Sequence, residues 1–282
     1  MKTYLNLGCG ERFHPDWINI DLTARRPNVV VHDLVKGIPL ESESADAVYH
    51  SALLEHFGRH EAAEFLREIY RVLRPGGIIR IGVPDLEKIC RTYLDKLEAA
   101  LVGDKQAEND YDWMMLEMLD QLVRERSGGE MLAYLRREPL PNERFVFERI
   151  GNEGRDLIKA IRREPTAAKA AGHASLSRRF RAAAEKLRVC LLTLLAGRDA
   201  ERALAIGRFR LSGEVHKWMY DRFGLARELV AVGFGEPKIC STSESSIQGW
   251  ERFHLDTQPD GTVNKPDLFF MEANKPHQYA NG

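Results

Sequence analysis

The sequence predicts an α/β protein, with a seven-stranded sheet interrupted by a large helical insertion after its fifth strand. Three observations carry this. Five short runs rich in Val, Ile and Leu occur before residue 86 with one clear helix among them. Strand signals then vanish from Leu86 to about Ser212, where the text is rich in Leu, Ala, Arg and Glu. Two apolar runs return near the end. Continuous apolar runs suit strands buried on both faces of a parallel sheet, and strands mixed with helices indicate an α/β architecture.

The first strand is "TYLNLGCG", which runs into a glycine turn. "WINIDL" and "NVVVHDL" are the second and third strands, and "ADAVYHSALLEHF" is a fourth that breaks into a loop. "EAAEFLREIYRVLRPGG" is the clearest helix. Phe65, Leu66, Ile69, Val72 and Leu73 share one stripe, and Pro75-Gly76-Gly77 is expected to stop it. "GIIRIGVPD" is the fifth strand. Beyond the insertion, "HKWMYDRFGLARELVAVGFGEP" reads as an amphipathic helix, and "KICSTS" and "DLFFMEA" as the last strands. We divide the chain into a core, 1–94 with 211–282, and a helical insertion, 95–210.

The whole chain carries a net charge of −1, which does not suit a general nucleic-acid binder. The average hides an asymmetry. Residues 95–150 hold 8 basic and 13 acidic side chains, whereas 151–210 hold 14 basic and 6 acidic. So abrupt a shift marks the middle as a separate structural unit. The four cysteines, at 9, 90, 190 and 240, lack zinc-ligand or redox spacing, as expected of reduced thiols in a cytoplasmic protein. The N-terminus enters a strand at once, leaving no room for a signal peptide, and no apolar run is long enough to span a bilayer.

The turn "LGCGERFHPDW" is unusual. Glycine lets backbone approach a ligand closely at positive φ, and ligands of open α/β sheets lie beyond the carboxyl ends of the strands. Gly8 and Gly10 make the turn, Asp21 ends the next strand as a candidate for ribose hydroxyls, and Asp33 is a candidate for an adenine amino group. A dinucleotide fingerprint fails, because Phe13 occupies the third glycine position and the acid follows Gly10 by only 11 residues. A phosphate loop fails for want of Gly-Lys-Ser/Thr. A tight turn with no ligand is the plain alternative.

"LNLGCG", "NIDL", "HDL", "LLEHF", "RVLRPGGIIRIGVPD" and "HKWMYD…LVAVGF", in this order, resemble class I S-adenosylmethionine-dependent methyltransferases, in particular a bacterial branch associated with sugar and cell-surface glycan genes. The resemblance covers residues 3–94 and 213–275 and implies a Rossmann-like seven-stranded methyltransferase sheet. It implies that Leu7, Gly8, Cys9 and Gly10 wrap the methionine part of S-adenosyl-L-methionine. Asp21 and Leu22 would hold the ribose, Asp33 and Leu34 the adenine, and His50 and Ser51 would line the pocket near the sulfonium. The family usually has an acid where Asn6 stands and a third glycine where Arg12 stands; Arg12 could pair with the cofactor carboxylate. The usual first helix is cut to "ERFHPDW", so something else must cover that surface, and the insertion is the expected cover.

An oxygen acceptor of high pKa needs a general base. His56 in "LLEHF", His216 in "HKWMYD" and Asp85 in "GVPD" are the candidates, Asp85 competing with a plain role as helix N-cap. Glu55 either orients His56 or stays solvated. His56 and His60 have i, i+4 spacing with His50 upstream, but no third ligand stands at motif spacing, so no metal is expected. In the insertion, "WMMLEMLDQLV" around Trp113 reads as core packing. "SRRFRAAAEKLRVCLLTLLAGR" reads either as a buried helix with a basic flank or as a peripheral membrane-surface helix. Its surroundings could attract an anionic acceptor such as a nucleotide sugar. Few aromatics interleave with the basic residues, which disfavours nucleic acid.

The expected activity is methyl transfer to an oxygen of a sugar, nucleotide sugar or glycan. The rivals are N- or C-methylation of a natural product or amino sugar, and a non-catalytic scaffold that binds a partner or membrane through the insertion. Homo-oligomerisation through the insertion is a further expectation.

Overall fold

A computed structural model of the chain describes residues 2–23, 26–163, 188, 189, 191 and 193–277. The strands are β1 (Tyr4–Leu7), β2 (Ile18–Asp21), β3 (Val29–Val31), β4 (Ala45–Ser51), β5 (Leu73–Pro84), β6 (Gly235–Cys240) and β7 (Leu268–Asn274). They form one seven-stranded sheet of order β3-β2-β1-β4-β5-β7-β6. β1 to β5 pair in parallel, and β7 is antiparallel to both β5 and β6. The described helices are α1 (Arg59–Val72), α2 (Leu86–Leu101), α3 (Lys105–Val123), α4 (Gly129–Leu135), α5 (Glu143–Arg163), α6 (Arg198–Arg210) and α7 (Arg222–Val232). None is long and apolar enough to cross a membrane.

α1 is amphipathic and buries Ala62, Phe65, Leu66, Ile69 and Val72 on one sheet face. Glu61 caps its start by accepting from the Gly58 amide at 2.9 Å. It ends at Val72, earlier than Pro75-Gly76-Gly77, which lies inside β5. Pro75 has no N–H and cannot extend the helix. The late helix is also shorter than expected, since "HKWMYD" is a connection in front of α7.

The opposite face settles what replaces the missing first helix. β1 leads to β2 on one side of the sheet and β4 to β5 on the other, so right-handed crossovers place their connections on opposite faces. α1 fills one face. On the other, residues 8–17 contribute Trp17, which packs with Tyr4, Tyr49, Ile247, Trp250, Phe253 and Leu255, and the His14 ring edge-on to Phe253. The cover is therefore the segment between β6 and β7, where the insertion had been expected. β3, at the sheet edge, has no such cover, and Val30 and Val31 are exposed rather than buried on both faces.

Arg80 on β5 anchors that segment. It is fully buried, and donates from Nε and Nη2 to Asp256 (3.1 and 3.0 Å) and from Nη1 to Glu272 (3.0 Å). Its remaining bonds go to the Glu244, Ser241 and Thr242 carbonyls at 2.9, 2.8 and 3.4 Å. The guanidinium lies 4.4 Å from the Trp250 ring centroid. Tyr49 donates to the other Asp256 oxygen at 2.5 Å.

The helical segment starts with α2 at Leu86, directly after β5. It has its own core: Ile89, Trp113, Met114, Tyr134, Leu135, Leu140, Val146 and Ile158. Trp113 packs in that core as expected. Its indole donates to Glu117 at 3.0 Å, and Glu117 pairs with Arg149 of α5 in the same interior. Most of the basic segment 177–198 lies outside the described residues; Leu191, Leu194 and Leu195 within it are exposed.

Removing one partner from a buried ionic network strands the others. Arg80→Leu leaves Asp256 and Glu272 without their cation, and urea denaturation should show a loss of about 3–5 kcal/mol.

Candidate active site

Two cavities meet at the carboxyl edge of the sheet. The first, of about 610 Å³, opens where β1 and β4 part, the point at which strand order reverses and ligands of such sheets sit. Gly8, Cys9, Gly10, Arg12 and Ser51 line it. Gly8 and Gly10 have φ of 64° and 51°. A Cβ on Gly8 would stand 2.8 Å from Leu53, whereas above Gly10 nothing lies within 4 Å, so ligand has room over that backbone. Asp21 braces the turn by accepting from the Gly10 amide at 3.0 Å, with its other oxygen on the Thr23 amide at 3.0 Å. That oxygen also accepts from the Thr23 hydroxyl at 3.2 Å, so the oxygen on Gly10 is the one with a lone pair left for a ligand hydroxyl. Asn6 explains the departure from the family's acid. Its buried amide donates to the Arg12 carbonyl (2.8 Å) and Asn19 Oδ1 (3.0 Å), and so ties the helix-less turn to β2. Burial pushes the Cys9 thiol up to about 11, with Asp21 adding to it, so this cysteine is an inert wall.

The second cavity, of about 530 Å³, lies between the sheet edge and the insertion. Ala52 and Lys265 line both cavities. α5 roofs both as well: Asp156 lines the first, and Ile150, Gly154 and Leu157 the second. The helix is broken at Gly151 (φ 62°), where a Cβ would stand 2.6 Å from the Asn264 carbonyl.

At the second cavity the structure assembles His56 and His216, residues far apart in sequence. Their rings meet edge to face with centroids 4.8 Å apart. The segment after the insertion places them: the His216 amide donates to the Gln121 carbonyl at 3.0 Å, and the Lys217 amide to the Glu55 carbonyl at 2.7 Å. Glu55 and His216 line the cavity, and Glu55 is fully buried. Burial pushes the Glu55 carboxyl up to about 8 and the His56 and His216 imidazoles down to about 4 and about 3. Asp267, pushed up to about 6 by burial and then by Glu117, also lines this cavity.

Other expected site residues lie elsewhere. His50 is on the opposite face of β4 from Ser51, fully buried against Phe65, so it does not reach the first cavity. Side chains alternate along a strand, and Tyr49 and Ser51 take the cavity face. Asp85 caps α2 by accepting from the Lys88 amide at 3.0 Å and lines neither cavity. Leu7 and Leu34 are core residues, and Leu22 is exposed at the open edge. Asp33 caps the turn Leu34–Lys36 by accepting from the Val35 amide at 3.2 Å. His60 is exposed, so the trio of His50, His56 and His60 is not assembled. Lys265, Asp267 and Asn264 were missed. They come from "DTQPDGTVNKPD", a Pro/Gly-broken loop without periodicity, whose only signal is its density of polar side chains before a strand.

A family comparison bears on the first cavity. Residues 5–81 match the model of the methyltransferase domain. The strand order, with an antiparallel β7 between β5 and β6, is that of Rossmann-like methyltransferases. The chain is similar to a probable S-adenosylmethionine-dependent methyltransferase of Mycolicibacterium smegmatis, 32% identical over 101 residues. That match covers 30% of this chain and 38% of the length of the relative. Among solved structures, a chain from the complex of the Haloferax volcanii Trm112 methyltransferase activator with a methyltransferase aligns with TM-score 0.38 and 11% identity, over 98% of this chain and 83% of that one. A SAM-dependent methyltransferase of Thermotoga maritima aligns with TM-score 0.37 and 11% identity over the same shares. The matched segment contains the glycine turn, Asp21, Ser51 and the Glu55–His56 pair, while His216 and the roof lie outside it.

Two outcomes follow from these placements. Asn6→Asp, which restores the family's acid, removes a buried donor of two hydrogen bonds and should cost at least about 2 kcal/mol in thermal or urea unfolding. His50 is held neutral, its pKa lowered by burial from 6.5 to about 3. The unfolded chain therefore binds the proton first, and stability falls as pH drops below 6.5, by about 1.4 kcal/mol per unit. His50→Leu should remove that component from unfolding curves measured between pH 6.5 and 4.

Proposed function

We propose that the chain is an S-adenosylmethionine-dependent methyltransferase that holds its donor over Gly8 and Gly10 and its acceptor in the adjoining cavity under the insertion. The observation that carries this is the junction of the two cavities at Ala52 and Lys265, beneath one roof. Methyl transfer is an in-line displacement, so holding donor and acceptor in line is the largest contribution a protein can make. S-adenosylmethionine supplies the methyl group on a sulfonium. The residues fit that group: glycine backbone with open space above it, the Asp21 carboxylate at the end of β2, and the Arg12 guanidinium on the cavity wall for a carboxylate. The cavity is open rather than plugged, which speaks against a retained scaffold without ligand.

The acceptor reading is O-methylation of a sugar, nucleotide sugar or related glycan. Lys265 on the second cavity suits an anionic group, and the neutral imidazole of His216 on its wall, backed by His56, would take a proton from a hydroxyl. Asp85, engaged as a cap, is not so placed. Apolar walls of Met131, Leu132, Leu135, Ile150 and Leu157 favour a second reading, a small natural product with an apolar body methylated on oxygen or nitrogen.

Calorimetric titration with S-adenosylhomocysteine tests the donor site. Binding is expected to weaken at least tenfold, about 1.4 kcal/mol, in Asp21→Ala. A folded protein that binds no adenosyl ligand would overturn the reading.

A further inference from the structure

We propose that Glu55, His56 and His216 form a binding site for a divalent first-row transition-metal ion, Zn²⁺ being the representative, with an open coordination position facing the acceptor cavity. One ligand atom from each of the three residues lies within 4.8 Å of the others. This is a donor set of two imidazoles and one carboxylate, which is common at zinc sites that keep a fourth position for water or substrate.

Three further observations point to a cation. First, Glu55 is fully buried and neither carboxylate oxygen has a hydrogen-bond partner among the described residues. A carboxylate withdrawn from water without a partner is costly, and a divalent ion directly offsets that cost. Second, His216 is 6% exposed, and its Nδ1 is likewise without a partner among the described residues. Third, His56 Nδ1 lies 3.3 Å from the Val215 carbonyl. Donation there leaves Nε2 with its lone pair, the outer-shell arrangement usual for a metal-bound histidine. Ligand atoms around tetrahedral zinc stand about 3.3 Å apart, so modest side-chain adjustment closes the trio on an ion.

Glu55 and His216 line the acceptor cavity, so the open position faces it. An acceptor oxygen bound there would be polarised, and the imidazoles would then serve as ligands rather than as free bases. That use rests on the methyl-transfer reading; the site itself does not.

The test is metal analysis of the untagged chain, followed by calorimetric Zn²⁺ titration and Co²⁺ visible absorption on the metal-stripped protein. S-adenosylhomocysteine is titrated into the same sample. One ion per chain is expected, with the d–d bands of a low-coordinate Co²⁺ site. Glu55→Gln and His216→Ala should each weaken Zn²⁺ at least tenfold, and His60→Ala, at an exposed position, should leave it unchanged. A folded protein that takes up neither ion, or one whose affinity is unchanged in both ligand variants, would overturn the site. Retained S-adenosylhomocysteine binding in that case would leave the donor reading standing; its loss alongside intact Zn²⁺ binding would do the reverse.

Discussion

The fold depends on a cation in the middle of a strand. Arg80 is buried in β5, where an aliphatic side chain would be the default. Its guanidinium holds the Glu272 carboxylate of β7 together with the Asp256 carboxylate and three carbonyls of the segment that returns between β6 and β7. A five-donor planar group suits this role, since it satisfies several acceptors in fixed directions at once. With that anchor, Trp250 and Phe253 lie over Tyr4, Trp17 and Tyr49 and close a sheet face that would otherwise meet water. The same segment continues into Asn264 and Lys265, so the closure of the core and the wall of the first cavity are one event.

The second dependency runs through the roof. α5 belongs to the insertion by its packing, through Arg149 on Glu117 and Ile158 in the insertion's own core. It belongs to the site by its lining residues. Gly151 breaks the helix against the 264–266 loop, and the break lets one helix serve two cavities. The helical segment therefore lines both cavities.

Much of the sheet was legible because short apolar runs with turn residues between them have few other uses. Gly8, Gly10 and Asp21 were legible because positive φ and a strand-terminal acid leave local traces. Three kinds of information were not local. Which side of β4 faces the cavity decided between His50 and Ser51, and a one-residue step in a pleated strand reverses the answer. Asp85 could serve as base or as cap, and the backbone amide of Lys88 took it. The meeting of His56 with His216, and the cover over Trp17, depend on where long connections return. Loop composition does not encode that path.

The missing first helix has an electrostatic consequence. In most sheets of this type the glycine turn leads into a helix whose N-terminus offers partial positive charge and free amides to an anionic ligand. This chain has no such dipole at its turn, and the amide of Gly10 is already given to Asp21. A carboxylate bound there would instead meet whole charges on long side chains, Arg12, Arg26 and Lys265 around the first cavity. Side-chain charges are screened by salt within about 8 Å at physiological ionic strength. Under the proposed function, donor capture would thereby be tied to ionic strength more closely than in a protein that relies on fixed backbone dipoles.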